Sequence, residues 1–258
     1  MSGLRKSPEE QASMTAPTYG WRAKIGVIVP PTNTVNEAEW NSAVPEGVSV
    51  HAARMALHTD TTSKEGKDAL HRDLAGAVRS LSPAGVAAIA YGCTAGSMIS
   101  PRHALAERMS AEVDLPCVTT AAAIVDALEA LNLKLVSVAT PYDQRLNDHE
   151  VGFLNEQNID VLAIEGLGLG ANGPSEYPLI HRVPKERIIE LAISVDKPDA
   201  EALLISCTDF PTFGIIEQLE DQLGKPVITS NQATMWATLR AAGIQDNLKH
   251  LGQLFRDC

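Results

Sequence analysis

Lys24-Ile-Gly-Val-Ile-Val-Pro-Pro31 is echoed 110 positions later by Lys134-Leu-Val-Ser-Val-Ala-Thr-Pro141. In both, a lysine leads an apolar run rich in β-branched residues and a proline closes it. Such a run suits a strand buried on both faces of a parallel sheet. The echo returns at the same offset, where Leu115-Pro-Cys-Val-Thr-Thr-Ala-Ala-Ala123 lies over Lys225-Pro-Val-Ile-Thr-Ser-Asn-Gln-Ala233. Cys93-Thr94 and Cys207-Thr208 are 114 positions apart, so a slippage of four residues brings them into register. Each half then reads strand, proline-bearing turn, more strands, strand-Cys-Thr, helix, strand-Thr, helix.

Outward from these segments the alternation continues. KIGVIV, GVAAIAY, LKLVSVA, IDVLAIEG and AEALLISC read as doubly buried strands, ARMAL as a further one. Residues 102–113, 121–131, 185–194 and 212–223 read as helices between them. Strands alternating with helices predict an α/β fold of parallel sheets with helices outside. The expected organisation is a mobile tail over residues 1–21, a first half over 22–131 and a second over 132–258. The last helix of the first half is free to cross over to the second. A pseudo-twofold axis between the halves would bring the two Cys-Thr turns face to face, at strand carboxyl ends where open α/β sheets bind ligands.

Composition narrows the function classes. The 258 residues are 45% hydrophobic and carry a formal net charge of −11, with no Lys/Arg cluster to track a phosphate backbone. Nucleic-acid binding is not expected. No apolar run approaches the ~18 residues of a membrane span, and the first twenty residues lack a secretory apolar core, so a cytoplasmic location is expected. The four cysteines are far apart, with no C-x-x-C pair and no His at ligand spacing, so no metal site is expected.

What remains is thiol chemistry. Cys93 and Cys207 end strands and precede helices, the first of them beginning near Ser100-Pro101. A thiol facing helix N-terminal N–H groups has its thiolate stabilised and its pKa lowered. With the hydroxyls of Thr94, Ser97 and Thr208, those N–H groups form a cradle for a carboxylate. One thiol and one thiolate on opposite faces of a small carboxylate substrate can move an α-proton, or add to and isomerise an activated double bond. Cys117, in a short apolar strand, reads as core, and Cys258 is the terminal residue. Asn33 follows a proline-rich turn and can cap the next helix. His58, Thr59, Ser230, Asn231, His181 and Arg182 are ambiguous between cavity lining, capping and surface.

The segments IGVIVPPTNTVNEAEW, AIAYGCTAGS, LLISCTDF and LGKPVITSNQA together resemble the aspartate/glutamate racemase superfamily, in its maleate cis-trans isomerase and arylmalonate decarboxylase branch. The resemblance runs from about Arg22 to Gly243. It implies two flavodoxin-like domains related by pseudo-twofold symmetry, assembly as a homodimer or larger, and no metal or organic cofactor. It implies Cys93 as nucleophile and Cys207 as proton donor, with Asn33, Tyr142 and Asn172 contacting substrate. Around Asn172 the chain departs from the pattern, because GPSEYP lengthens the loop. The implied activity is isomerisation of a maleate-like dicarboxylate. A racemase of an amino acid or hydantoin and a non-catalytic small-acid binder are the alternatives. A decarboxylase is less expected, since that branch keeps only the second-half cysteine.

Overall fold

The computed structural model describes residues 17–60, 63–99 and 101–258. Most of the proposed tail, residues 1–16, and Ser100, near which a helix is expected to begin, lie outside the described residues. Of the remaining tail, the Trp21 ring lies against Gly47, whose φ of +81° and crowded Cα leave no room for a side chain.

Two parallel four-stranded sheets form the fold, with orders β2-β1-β3-β4 and β6-β5-β7-β8. In the first are β1 (Ala23–Val29), β2 (Val48–Arg54), β3 (Ala88–Tyr91) and β4 (Cys117–Thr119). The second holds β5 (Leu135–Tyr142), β6 (Asp160–Leu169), β7 (Ala202–Ile205) and β8 (Val227–Thr229). Each half therefore repeats a flavodoxin-like order in which the first strand pairs with both the second and the third. The duplication read in the sequence is a duplication of topology.

The helices are α1 (Asn36–Ala43), α2 (Lys64–Leu81), α3 (Thr94–Ser97), α4 (Ala104–Val113), α5 (Thr120–Ala130), α6 (Gln144–Glu156), α7 (Lys185–Val195), α8 (Ile216–Leu223), α9 (Ser230–Ala241) and α10 (Gly252–Asp257). In α2, Leu70, Leu74, Ala77, Val78 and Leu81 recur at three- and four-residue spacing and form its buried face, while the Ser63 hydroxyl accepts from Gly66 N–H at its start. On α5, Ala121, Ala123, Ile124, Val125, Ala127 and Leu128 join one apolar cluster with Val136, Val138, Leu204 and Ile228 of the second sheet. Met235 and Leu239 of α9 join another with Ile25, Val27 and Val29 of the first. The final helix of each half thus packs toward the other half's sheet, and Thr234 of α9 donates to Thr120 of α5 at 3.0 Å.

Two strand expectations need correction. IDVLAIEG falls in β6, which is half exposed along its length because it is an edge strand with only β5 beside it. ARMAL overlaps only the end of β2, whose pairing with β1 finishes at Arg54; the residues beyond run as a loop. Among the described residues no helix is long and apolar enough to cross a membrane.

Candidate active site

Both cysteines leave the central part of their sheet at the same point. After β3, Cys93 is extended, with φ −147° and ψ 111°, and is followed at once by the single helical turn of α3. That turn is what the thiol meets. Ser97 Oγ donates to the Cys93 carbonyl at 2.7 Å and accepts from Ala121 N–H at 2.9 Å, fixing the turn to α5. Gly96 has to be glycine. A Cβ there would lie 2.4 Å from Tyr91 Oη and 3.1 Å from Cys93 Sγ. After β7, Cys207 Sγ accepts from Asp209 N–H at 3.3 Å, a tight turn that aims the thiol back over the strand end.

Hydrogen bonds sew the two turns together. Thr208 Oγ1 donates to the Gly92 carbonyl at 3.1 Å and lies 3.0 Å from Asn33 Nδ2, which donates to it. Thr94 Oγ1 and Ser230 Oγ are 2.9 Å apart. Asn33 Oδ1 accepts from Val35 and Asn36 N–H, both at 3.0 Å, so it turns the chain into α1 while its amide faces the second half. All of these side chains except that of Ser230 line one cavity of about 320 Å³, together with both cysteines, Tyr142 and Asp209. Leu57, Leu146, Tyr177 and Ile180 give it an apolar wall, and His58, Arg145 and His149 bring positive or titratable nitrogen to it. Among the described residues no three His, Cys, Asp or Glu side chains are grouped to hold a metal ion.

The electrostatics overturn one expectation. Neither thiol is lowered, because burial outweighs the N–H groups. Burial raises Cys93, opposed by the Gly96 N–H and the Tyr91 hydroxyl. Cys207 is pushed up to about 12, first by burial and then by the Asp209 carboxylate and the charge of Cys93, against the Tyr142 hydroxyl and the Asp209 N–H. Once Cys93 is ionised, Cys207 keeps its proton more tightly.

Of the residues picked from the sequence, Asn33, Cys93, Thr94, Tyr142, Cys207 and Thr208 meet at this cavity, and His58 and Thr59 lie on its rim. Asn172 does not. Its amide donates to Glu176 at 2.7 Å inside the lengthened loop, where Gly170 and Gly173 adopt positive φ, and Tyr177 reaches the cavity instead. Arg182 is exposed and absent from the lining. Asn231 is a brace, bonding Asn36, Glu39 and the Thr208 carbonyl. Tyr91, Gly96, Arg145, His149 and Asp209 went unread. Tyr91 stands two positions before Cys93, and that spacing was the available signal.

The duplicated α/β fold thus brings one cysteine from each half to a shared cavity. The arylmalonate decarboxylase family model matches residues 25–255, and the chain belongs to that family. It is 27% identical over 224 residues to arylmalonate decarboxylase of Bordetella bronchiseptica, covering 85% of this chain and 90% of that one. To maleate isomerase of Nocardia farcinica it is 26% identical over 246 residues, covering 90% and 95%. Among solved structures, maleate isomerase of Pseudomonas putida S16 with maleate superposes with a TM-score of 0.81 at 25% identity, covering 90% and 97%. An arylmalonate decarboxylase crystal structure gives 0.77 at 28%, covering 91% and 100%. With maleate isomerases among its relatives, the chain is an enzyme of the isomerase type.

Proposed function

We propose that the protein isomerises a maleate-like cis-dicarboxylate to its trans form using Cys93 and Cys207. The Cys93 thiolate adds to one alkene carbon, forming a C–S bond, and the Cys207 thiol gives its proton to the neighbouring carbon. The former double bond is now single and rotates. Cys207 thiolate then takes a proton from that carbon, the double bond reforms, and the C–S bond breaks to return the Cys93 thiolate. Atoms and charge balance over the cycle, with Cys93 entering and leaving as thiolate and Cys207 as thiol. Asn33 and Thr94 donate to the carboxylates, Thr208 holds the Asn33 amide in place, and Tyr142 donates to whichever form Cys207 takes.

The observation that carries this reading is that one cysteine from each half, Cys93 and Cys207, lines a single cavity. Decarboxylation needs a single proton donor, and Cys93 would then have no task. Purified protein incubated with maleate under reducing conditions is expected to yield fumarate by proton NMR. Cys93→Ala and Cys207→Ala are each expected to lose activity by about a thousandfold or more, the loss usual for a nucleophile or its partner. No conversion of maleate, with α-hydrogen exchange of an amino acid or hydantoin in deuterated solvent, would replace this reading with racemisation. Loss of carbon dioxide from phenylmalonate alone would replace it with decarboxylation.

A further inference from the structure

Asp209 is an odd residue for a cavity that takes anions. It lines the cavity, is only 6% exposed, and stands two positions after Cys207. A desolvated carboxylate there repels an incoming carboxylate and, through the same field, disfavours a thiolate at Cys207. The second effect is already visible, since the Asp209 charge helps raise the Cys207 thiol. The first must be offset if a dicarboxylate is to bind. The offset stands beside it. His181, from the 3-10 segment Pro174–Arg182 over the cavity, places Nδ1 3.4 Å from Asp209 Oδ2, within ion-pair distance, and that buried nitrogen has no hydrogen-bond partner. The other Asp209 oxygen accepts from Thr34 N–H at 3.1 Å, which fixes the carboxyl between the halves. Burial raises the Asp209 carboxyl, while Thr34 N–H and His181 pull it back down.

We propose that Asp209 and His181 form a charge-balancing pair that sets two properties of the site at once: the proton on Cys207 and the affinity for carboxylates. Asp209 keeps the second thiol protonated, ready to donate. His181 cancels enough of the Asp209 charge for an anionic substrate to be admitted. Both are positioning residues, and the proposal rests on Cys207 being the proton donor to a dicarboxylate.

The pair makes opposite-signed predictions for its two members. Asp209→Asn keeps the backbone N–H to Cys207 and an oxygen for Thr34 while removing the charge. The neutral reagent iodoacetamide, with modification followed at each cysteine by peptide mass spectrometry, reads the Cys207 thiolate without any substrate. At pH 8.5, Asp209→Asn is expected to speed alkylation of Cys207 by about tenfold, the equivalent of one pKa unit, and His181→Ala to slow it. Cys117 and Cys258 serve as internal controls and should not change. In turnover, Asp209→Asn should lower KM for maleate and also lower kcat, whereas His181→Ala should raise KM several-fold. In the double variant the His181→Ala effect should vanish, because no Asp209 charge is left to balance, giving strong non-additivity in the cycle.

Shifts in the same direction for both single variants, additive effects in the double, or an unchanged Cys207 alkylation rate in Asp209→Asn would each overturn the pairing. A merely structural role moves both variants the same way. If the alkylation pattern holds but maleate is not turned over, the isomerase assignment fails and the pair stands. If maleate is isomerised but the alkylation pattern is absent, the pair fails and the assignment stands.

Discussion

Glu150, on α6, is 1% exposed, and neither its Oε2 nor the nearby Ser206 hydroxyl finds a hydrogen-bond partner. Burial pushes its carboxyl up to about 8. The folded state therefore binds this proton more tightly than the unfolded chain, whose carboxyl titrates near 4.5. For an acid with a raised folded pKa, the stability contribution is complete below the unfolded value and is lost as pH climbs through the folded one. Glu39, pushed up to about 7, adds to the same loss. Replacing Glu150 by Gln removes the larger part. The variant is expected to match the parent at pH 5 and to melt higher at pH 8.5, by an amount on the order of 4 kcal/mol at most. Thermal midpoints by circular dichroism between pH 5 and 9 test this, and parallel curves for the two proteins would refute it. No sequence signal separated Glu150 from the exposed acids of α6, since burial of one carboxyl is a matter of which face of a helix meets the sheet.

At the scale of elements, α1 explains how a polar segment can be structural. NEAEWNSA has no apolar stripe, yet Asn36, Trp40 and Ala43 are buried. The helix docks by hydrogen bonds instead. Trp40 Nε1 donates to the Asn231 carbonyl at 3.1 Å, Asn36 Nδ2 to Asn231 Oδ1 at 2.8 Å, and Glu39 accepts from Thr212 N–H, Phe213 N–H and Asn231 Nδ2. These bonds clamp the first half to the segment that follows the Cys207 turn. Glu39→Ala would leave three buried or half-buried donors without an acceptor and should destabilise the fold by roughly 3 kcal/mol, read as a lower urea midpoint. A midpoint within error of the parent would contradict the clamp. Helices with an apolar period, such as α7 and α8, were legible to within a few residues because hydrophobic spacing encodes the buried face. The docking of α1 was not, because its partners lie nearly two hundred residues away and polar side chains announce no partner in advance.

Over the whole molecule, one apolar cluster contains Ile25, Val27 and Val29 of the first sheet along with Leu203, Ile205 and Val227 of the second. The two halves share a core, so they should unfold together. Far-ultraviolet circular dichroism and tryptophan fluorescence, with Trp40 at the junction, are expected to report one coincident urea transition. Two separated transitions would mean that the halves are independent. Read alone, the sequence determined the α/β class, the duplication and the two cysteines, because periodicity, strand composition and an internal repeat are properties of order along the chain. Tertiary structure decided the rest. It placed Asn172 on Glu176 rather than on the cavity, set Tyr91 against Cys93, and brought Asp209 to the wall with His181 behind it. It also reversed the expected direction of the thiol pKa shifts, since desolvation depends on everything that surrounds a sulfur in space and on nothing that adjoins it in sequence.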